Sequence, residues 1–156
     1  MPVKPASNEG GDPRPCAERL LARRDHGREE LRRKLLRRGY ASAAVESVLD
    51  DLARRGYLDD GKFCREFARQ ALEKGHGPAY IRAKLALRGV KSAGPPCTPA
   101  EESASLRAFL ERRRLRPGAL TPAAERAKIQ RFLLGRGYTG AAIRSMLGPG
   151  AESEES

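Results

Sequence analysis

GREELRRKLLRRGYASAAVESVLDDL, residues 27 to 52, reads as two helices that meet at a glycine. Leu31 and Leu35 lie one turn apart on the first, which ends in Arg37-Arg38-Gly39-Tyr40, where glycine supplies the left-handed geometry that stops a helix. The second is expected to start behind Ser42 as its N-cap. It places Val45, Val48, Leu49 and Leu52 at i, i+3, i+4 and i+7, the stripe of a helix that buries one face.

Weaker copies of this stretch recur. An offset of fifty lays Gly77, Ile81, Arg82, Lys84, Leu85, Arg88, Gly89 and Val90 over Gly27, Leu31, Arg32, Lys34, Leu35, Arg38, Gly39 and Tyr40. An offset of ninety-eight lays Ile129, Arg131, Leu133, Leu134, Arg136, Gly137 and Tyr138 over Leu31, Arg33, Leu35, Leu36, Arg38, Gly39 and Tyr40, and continues through Ile143, Met146 and Leu147. Core positions and the helix-stop glycine recur together, so the likeness is structural as well as one of charge.

Working outward, the repeats predict an all-α chain of about eight helices, tandem three-helix repeats in an elongated, curved array. Residues 1–14 carry prolines and glycines and almost nothing apolar, the composition of a disordered tail. Repeat one spans 15–56, with a first helix from about Pro15 to Asp25. Repeat two spans 57–97, where Phe63, Phe67 and Ala71 mark a helix from Asp60 to Lys74, and Ile81 and Leu85 mark the next. Gly94-Pro95-Pro96 stands where its third helix should be, so that helix is expected to be missing or reduced to a turn. Repeat three spans 98–147. It opens on a capping box, Thr98-Pro99-Ala100-Glu101, with Pro117-Gly118 expected to end that first helix. Residues 148–156 form an acidic tail.

The 156 residues carry 31 Lys and Arg against 20 Asp and Glu, a net charge of +11 that suits a polyanion or an acidic protein surface. The longest apolar runs fall short of a membrane span and no signal-peptide core opens the chain, so a cytoplasmic protein away from the membrane is expected. A monomer is expected as well. Cys16, Cys64 and Cys97 are odd in number and widely spaced, against a disulfide framework. Cys16, Cys64, His26 and His76 lack CxxC or HxxxH spacing, so packing is preferred to zinc and no cofactor is expected. Enzyme motifs fare no better: the chain has no P-loop, GxGxxG or GxSxG, and its two histidines leave little room for a triad. Asp59-Asp60 at a helix start reads as a cap rather than a catalytic carboxylate pair.

The segments ELRRKLLRRGY at 30–40, RRGYLDDGKF at 54–63, HGPAYIRAKLALRGV at 76–90 and RFLLGRGYTGAAIRSML at 131–147 together resemble the RecX family, regulators of the RecA recombinase built of tandem three-helix repeats. The resemblance covers most of residues 16–147. It implies a non-enzymatic protein that binds the RecA filament on single-stranded DNA and restrains its extension, ATP hydrolysis and strand exchange, with DNA touched weakly or through the filament.

From the residues themselves, candidate contacts to a partner or nucleic acid are the basic positions on the repeat helices and their ends. These are Arg32, Arg33, Arg37, Arg38, Arg54, Arg55, Arg82, Lys84, Arg88, Arg112, Arg113, Arg131 and Arg136. The bland alternative is solvated surface, with Glu29, Glu30, Glu46 and Asp50 forming ordinary helix pairs. Tyr40, Tyr57 and Tyr138 behind the stop glycines could stack on bases, but Val90 at the equivalent place argues for packing. A direct DNA-binding protein of helix-turn-helix-like units is the main rival. Its base-reading amides would be in short supply, since Asn8, Gln70 and Gln130 are the only ones. A helical scaffold for some other protein is the third possibility.

Overall fold

A computed structural model of the chain describes residues 8–91, 94–116, 118 and 121–148. They form eight helices: α1 Arg14–Arg23, α2 Arg28–Arg37, α3 Ser42–Arg54, α4 Asp60–Glu73, α5 Pro78–Leu87, α6 Pro99–Arg112, α7 Ala123–Gly135 and α8 Gly140–Leu147. No strand occurs among the described residues. Two compact units emerge: one comprises the described residues of Met1–Cys64 with Leu85–Lys91, the other those of Arg65–Lys84 with Ser92–Ser156.

In the first unit α2 packs on α1 and α3. Its core joins Cys16 and Ala17 of α1 to Leu31 and Leu35 of α2 and to Val45, Val48, Leu49 and Leu52 of α3, with Leu58 closing one side. In the second unit α8 packs on α6 and α7. Leu106, Phe109 and Leu110 there meet Ile129, Leu133, Tyr138, Ile143 and Leu147.

Glycine ends the repeat helices by one device. Gly39, Gly56, Gly89 and Gly137 all have positive φ, between 72° and 91°. The next amide then reaches back five residues: Tyr40 to Leu35 O, Tyr57 to Leu52 O, Val90 to Leu85 O and Tyr138 to Leu133 O. This is the Schellman closure, which satisfies carbonyls left open at the helix end. α6 closes the same way without glycine, since Arg114 takes φ 54° and Leu115 N–H bonds to Leu110 O at 2.9 Å. The helix therefore stops at Arg112, ahead of the expected Pro117-Gly118, because Leu115 folds back onto the core of its unit. Pro117 itself lies outside the described residues.

Helix starts also differ from expectation. Ser42 is the first residue of α3, and Ala41 holds the cap position without a side-chain bond. The Val45 amide donates to Ala41 O at 3.0 Å and draws the first turn back by one residue. The Thr98–Glu101 capping box and the Thr139 cap of α8 are both formed. Asp59 caps its own helix through Lys62 N–H, whereas Asp60 accepts from the Arg28 amide at 2.9 Å and so caps α2 from another helix. Asn8, placed by composition in a tail, donates its side-chain amide to Arg38 O at 2.8 Å. No helix lies between α5 and α6 among the described residues.

Within each unit a helix start is seated on a helix end. In the second, Gly77 N–H donates to Arg136 O at 2.9 Å and Ala79 N–H to Gly137 O at 3.0 Å. The first turn of α5 is thereby satisfied by the last carbonyls after α7. A Cβ on Gly77 would stand 2.4 Å from the Gly137 carbonyl and the Tyr138 nitrogen, so only glycine admits this approach. In the first unit the repeat-equivalent Gly27 starts α2 against Val90, whose Cγ2 would be 2.6 Å from an added Cβ.

His26, only 3% exposed, sits beside this start. Its Nδ1 is 2.9 Å from Arg24 O and its Nε2 2.9 Å from Lys34 Nζ, so a neutral ring donates to the carbonyl and accepts from the lysine. Burial holds its pKa below the usual value against the hydrogen bond to Arg24 O, with the charges of Arg24 and Lys34 adding to the lowering and the carboxylate of Glu30 opposing it. Asp25, Asp59 and Lys62 line a shallow cleft together with His26. The group stays neutral in the fold while the unfolded chain takes up a proton as pH falls below about 6.5. Stability should therefore be complete above that pH and decline below it. His76, also held low by burial, contributes with the same sign. Urea midpoints between about pH 7.5 and 5 test this: His26→Gln should flatten the decline, and an unchanged slope would remove His26 as its source.

Candidate partner and nucleic-acid interface

The cations divide by what they already hold. Arg28 of α2 reaches Asp50 at 2.6 Å and Glu46 at 3.2 Å on α3, and Arg32 reaches Glu46 at 2.5 Å, so both tie α2 to α3. Hydrogen bonding from Arg32, and then from Arg28, lowers the pKa of Glu46. Asp51 receives Arg14 of α1 at 2.8 Å, Arg55 at 3.0 Å and Arg54 at 3.5 Å. For Arg32, Arg54 and Arg55 the ordinary pairing reading thus accounts for the side chain.

In the second unit Arg136 donates to Lys74 O at 2.8 Å and Gly75 O at 2.9 Å, and its guanidinium lies 4.9 Å from the Phe109 ring centre. Arg112 donates to Glu73 O at 3.0 Å. Both neutralise the carbonyl end of α4, where a helix favours cations. Arg113 rests over Phe109 and Phe132 at 5.4 and 5.8 Å. Arg88 lies 5.8 Å from the Phe63 ring centre and Lys84 5.5 Å from that of Tyr80. Arg38 donates to Cys16 Sγ at 3.2 Å, and Arg33 makes long contacts to Glu29 and to Leu87 O.

Three of the thirteen candidates remain: Arg37 on α2, Arg82 on α5 and Arg131 on α7. Each is exposed and has no hydrogen bond or ion pair among the described residues. Each lies on the second helix of its repeat. Exposed and similarly unpaired are Arg19 and Arg23 of α1, Arg107 of α6 and Lys128 of α7, which the repeat comparison passed over because they fall outside the matched segments.

The aromatic positions behind the stop glycines also separate. Tyr138 is 2% exposed and its hydroxyl is 2.9 Å from Ser105 Oγ, while Tyr40 packs partly on the first core. Tyr57 is 67% exposed, and Leu58 takes the core place beside it. Among the described residues no three His, Cys, Asp or Glu stand together to hold a metal ion. No described helix is long and apolar enough to cross a membrane.

Family models for the first, second and third three-helix domains of RecX match residues 16–52, 59–93 and 100–147. The chain belongs to the RecX family. The regulatory protein RecX of Acidithiobacillus ferrooxidans is 40% identical over 150 residues, covering 95% of this chain and 97% of that protein. RecX of Halorhodospira halophila is 40% identical over 149 residues, covering 91% and 90%. The crystal structure of RecX from Lactobacillus salivarius superposes with a TM-score of 0.67 over 85% of this chain and 90% of that one, at 15% identity, a likeness of fold. The first RecX domain match takes in most of α1 and all of α2, with α3 up to Leu52; the third takes in nearly all of α6 with α7 and α8. The second holds α4 and α5.

Proposed function

We propose that this chain is a non-enzymatic regulator that binds a RecA-type recombinase filament on single-stranded DNA and restrains its extension, ATP hydrolysis and strand exchange. It works as a monomer in the cytoplasm, in DNA repair, recombination and the SOS response. Membership of the RecX family supports the partner. The observation that carries the choice of contact residues is the division of the arginines. Arg32, Arg112 and Arg136 are used to join helices, whereas the second helix of every repeat keeps one exposed, unpaired arginine: Arg37, Arg82 and Arg131. Arginine suits bidentate contact to phosphate or carboxylate, and side chains without internal partners give up no ion pair on binding. Arg33 and Arg88 stand at the margin of this set.

An ATPase titration of pure recombinase on single-stranded DNA tests the reading, comparing the wild-type protein with the triple variant Arg37→Ala, Arg82→Ala, Arg131→Ala. The variant should keep its helical circular dichroism and need at least about tenfold more protein for the same inhibition. If the three arginines touch phosphates, the wild type should lose affinity by roughly tenfold to twentyfold more than the variant between about 50 and about 200 mM salt. Lysozyme, of similar positive charge, serves as control. Equal inhibition by lysozyme would reduce the effect to polycation binding, and no inhibition by the wild type would remove the regulator assignment.

A further inference from the structure

We propose that a cleft in the first unit, between α1 and the turn from α2 to α3, seats one nucleotide of a single-stranded nucleic acid. Arg19, Arg23 and Arg38 face its phosphodiester and the Tyr40 ring its base. The cleft has a volume of about 310 Å³, at the small end of the range for ligand sites. Its polar wall consists of Asn8, Cys16, Arg19, Arg23, Arg38 and Tyr40, and no carboxylate lines it.

Charge sets this cleft apart from two others in the same unit. The cleft of about 510 Å³ contains Glu18, and its Arg14 and Arg55 are both held by Asp51. The cleft of about 160 Å³ contains Asp25 and Asp59. The lining of the 310 Å³ cleft carries positive charge and no carboxylate. Arg19 and Arg23 are one turn apart on α1, on the order of 5–6 Å at Cβ, and neither has an ion pair among the described residues. Arg38 is steadied by Cys16 Sγ at 3.2 Å, a weak acceptor that fixes one guanidinium nitrogen and leaves the fork available.

The fixed parts supply order. Tyr40 packs partly on the core and Gly11 lies against its ring edge, so the phenol is held in place before anything binds. Asn8, itself part of the lining, is tied to Arg38 O, which holds the chain before α1 against the end of α2. Cations beside an aromatic ring are the combination that single-strand binders use, and stacking on the ring is tolerant of base identity. An acidic peptide would use the cations and leave the ring idle.

The inference rests on the DNA side of the function proposed above, and it is tested without recombinase. A fluorescent oligo-dT is titrated with the full chain at several salt concentrations. Arg19→Ala with Arg23→Ala, both exposed, should weaken binding about tenfold and shallow the log–log salt slope by about 0.7, one single-strand phosphate's worth. Tyr40→Phe should bind as wild type does and Tyr40→Leu several-fold more weakly, each with its urea midpoint recorded to show that the unit is folded. Unchanged affinity and slope in the double arginine variant overturn the cleft, as does a wild type that fails to bind the oligonucleotide. Competition by polyglutamate as strong as by unlabelled oligo-dT at equal charge also overturns it, leaving a general anion seat. Loss of oligonucleotide binding with the recombinase ATPase still inhibited supports the cleft and keeps its role distinct from that of Arg37, Arg82 and Arg131.

Discussion

Gly77→Ala is expected to destabilise the second unit by about 3 kcal/mol or more, the upper part of the range for overpacking a closed site. The added methyl would stand 2.4 Å from backbone atoms of Gly137 and Tyr138, and a backbone obstacle cannot rotate away as a side chain can. Relief requires moving the start of α5 off the end of α7, which breaks the bonds from Gly77 to Arg136 O and from Ala79 to Gly137 O. Gly27→Ala makes the comparison: its obstacle is Val90 Cγ2, the tip of a side chain, so the cost should be smaller. Amide exchange should show α5 and α7 opening in the Gly77 variant. A urea midpoint within error of the wild type would mean that the two helix ends are not seated on each other as described.

Leu35→Ala should cost about 2–4 kcal/mol in the first unit, the cost of truncating a buried leucine and leaving a cavity. Leu35 is fully buried among α1, α2 and α3. Its neighbour Arg33 has a half-exposed side chain and long contacts to Glu29 at 3.4 Å and Leu87 O at 3.5 Å. Arg33→Ala should then stay within about 0.5 kcal/mol of the wild type. The pair of urea midpoints reads which face of α2 is inside, and equal shifts would mean the faces are reversed.

Much of this was legible in the residues, for stated reasons. The stop glycines announce themselves because a left-handed backbone excludes most other residues, and Gly39, Gly56, Gly89 and Gly137 all adopt it. The stripe of Val45, Val48, Leu49 and Leu52 is buried because spacing alone selects a face. Arg114 escaped notice because tertiary packing of Leu115 imposes its geometry on a residue with no preference for it. The roles of Arg32 and Arg136 were hidden for a similar reason. An arginine's partners are set by which helix ends and carboxylates the fold brings near, as Glu46 does for Arg32 and Gly75 O for Arg136, and spacing along the chain does not carry that information. Asp60 shows the same limit: it looked like a local cap and serves a different helix.

The seating of Gly77 on Gly137 bears on how such an array can lengthen or shorten. At this joint an exchanged repeat is accepted by its neighbour only if it brings a glycine at the start of its second helix and finds a glycine turn at the end of the neighbour's. The pair works as a coupling standard between modules. A spliced array that keeps both glycines should accept surface residues of almost any kind, whereas one that loses either is rejected at the joint, however well its cores are matched.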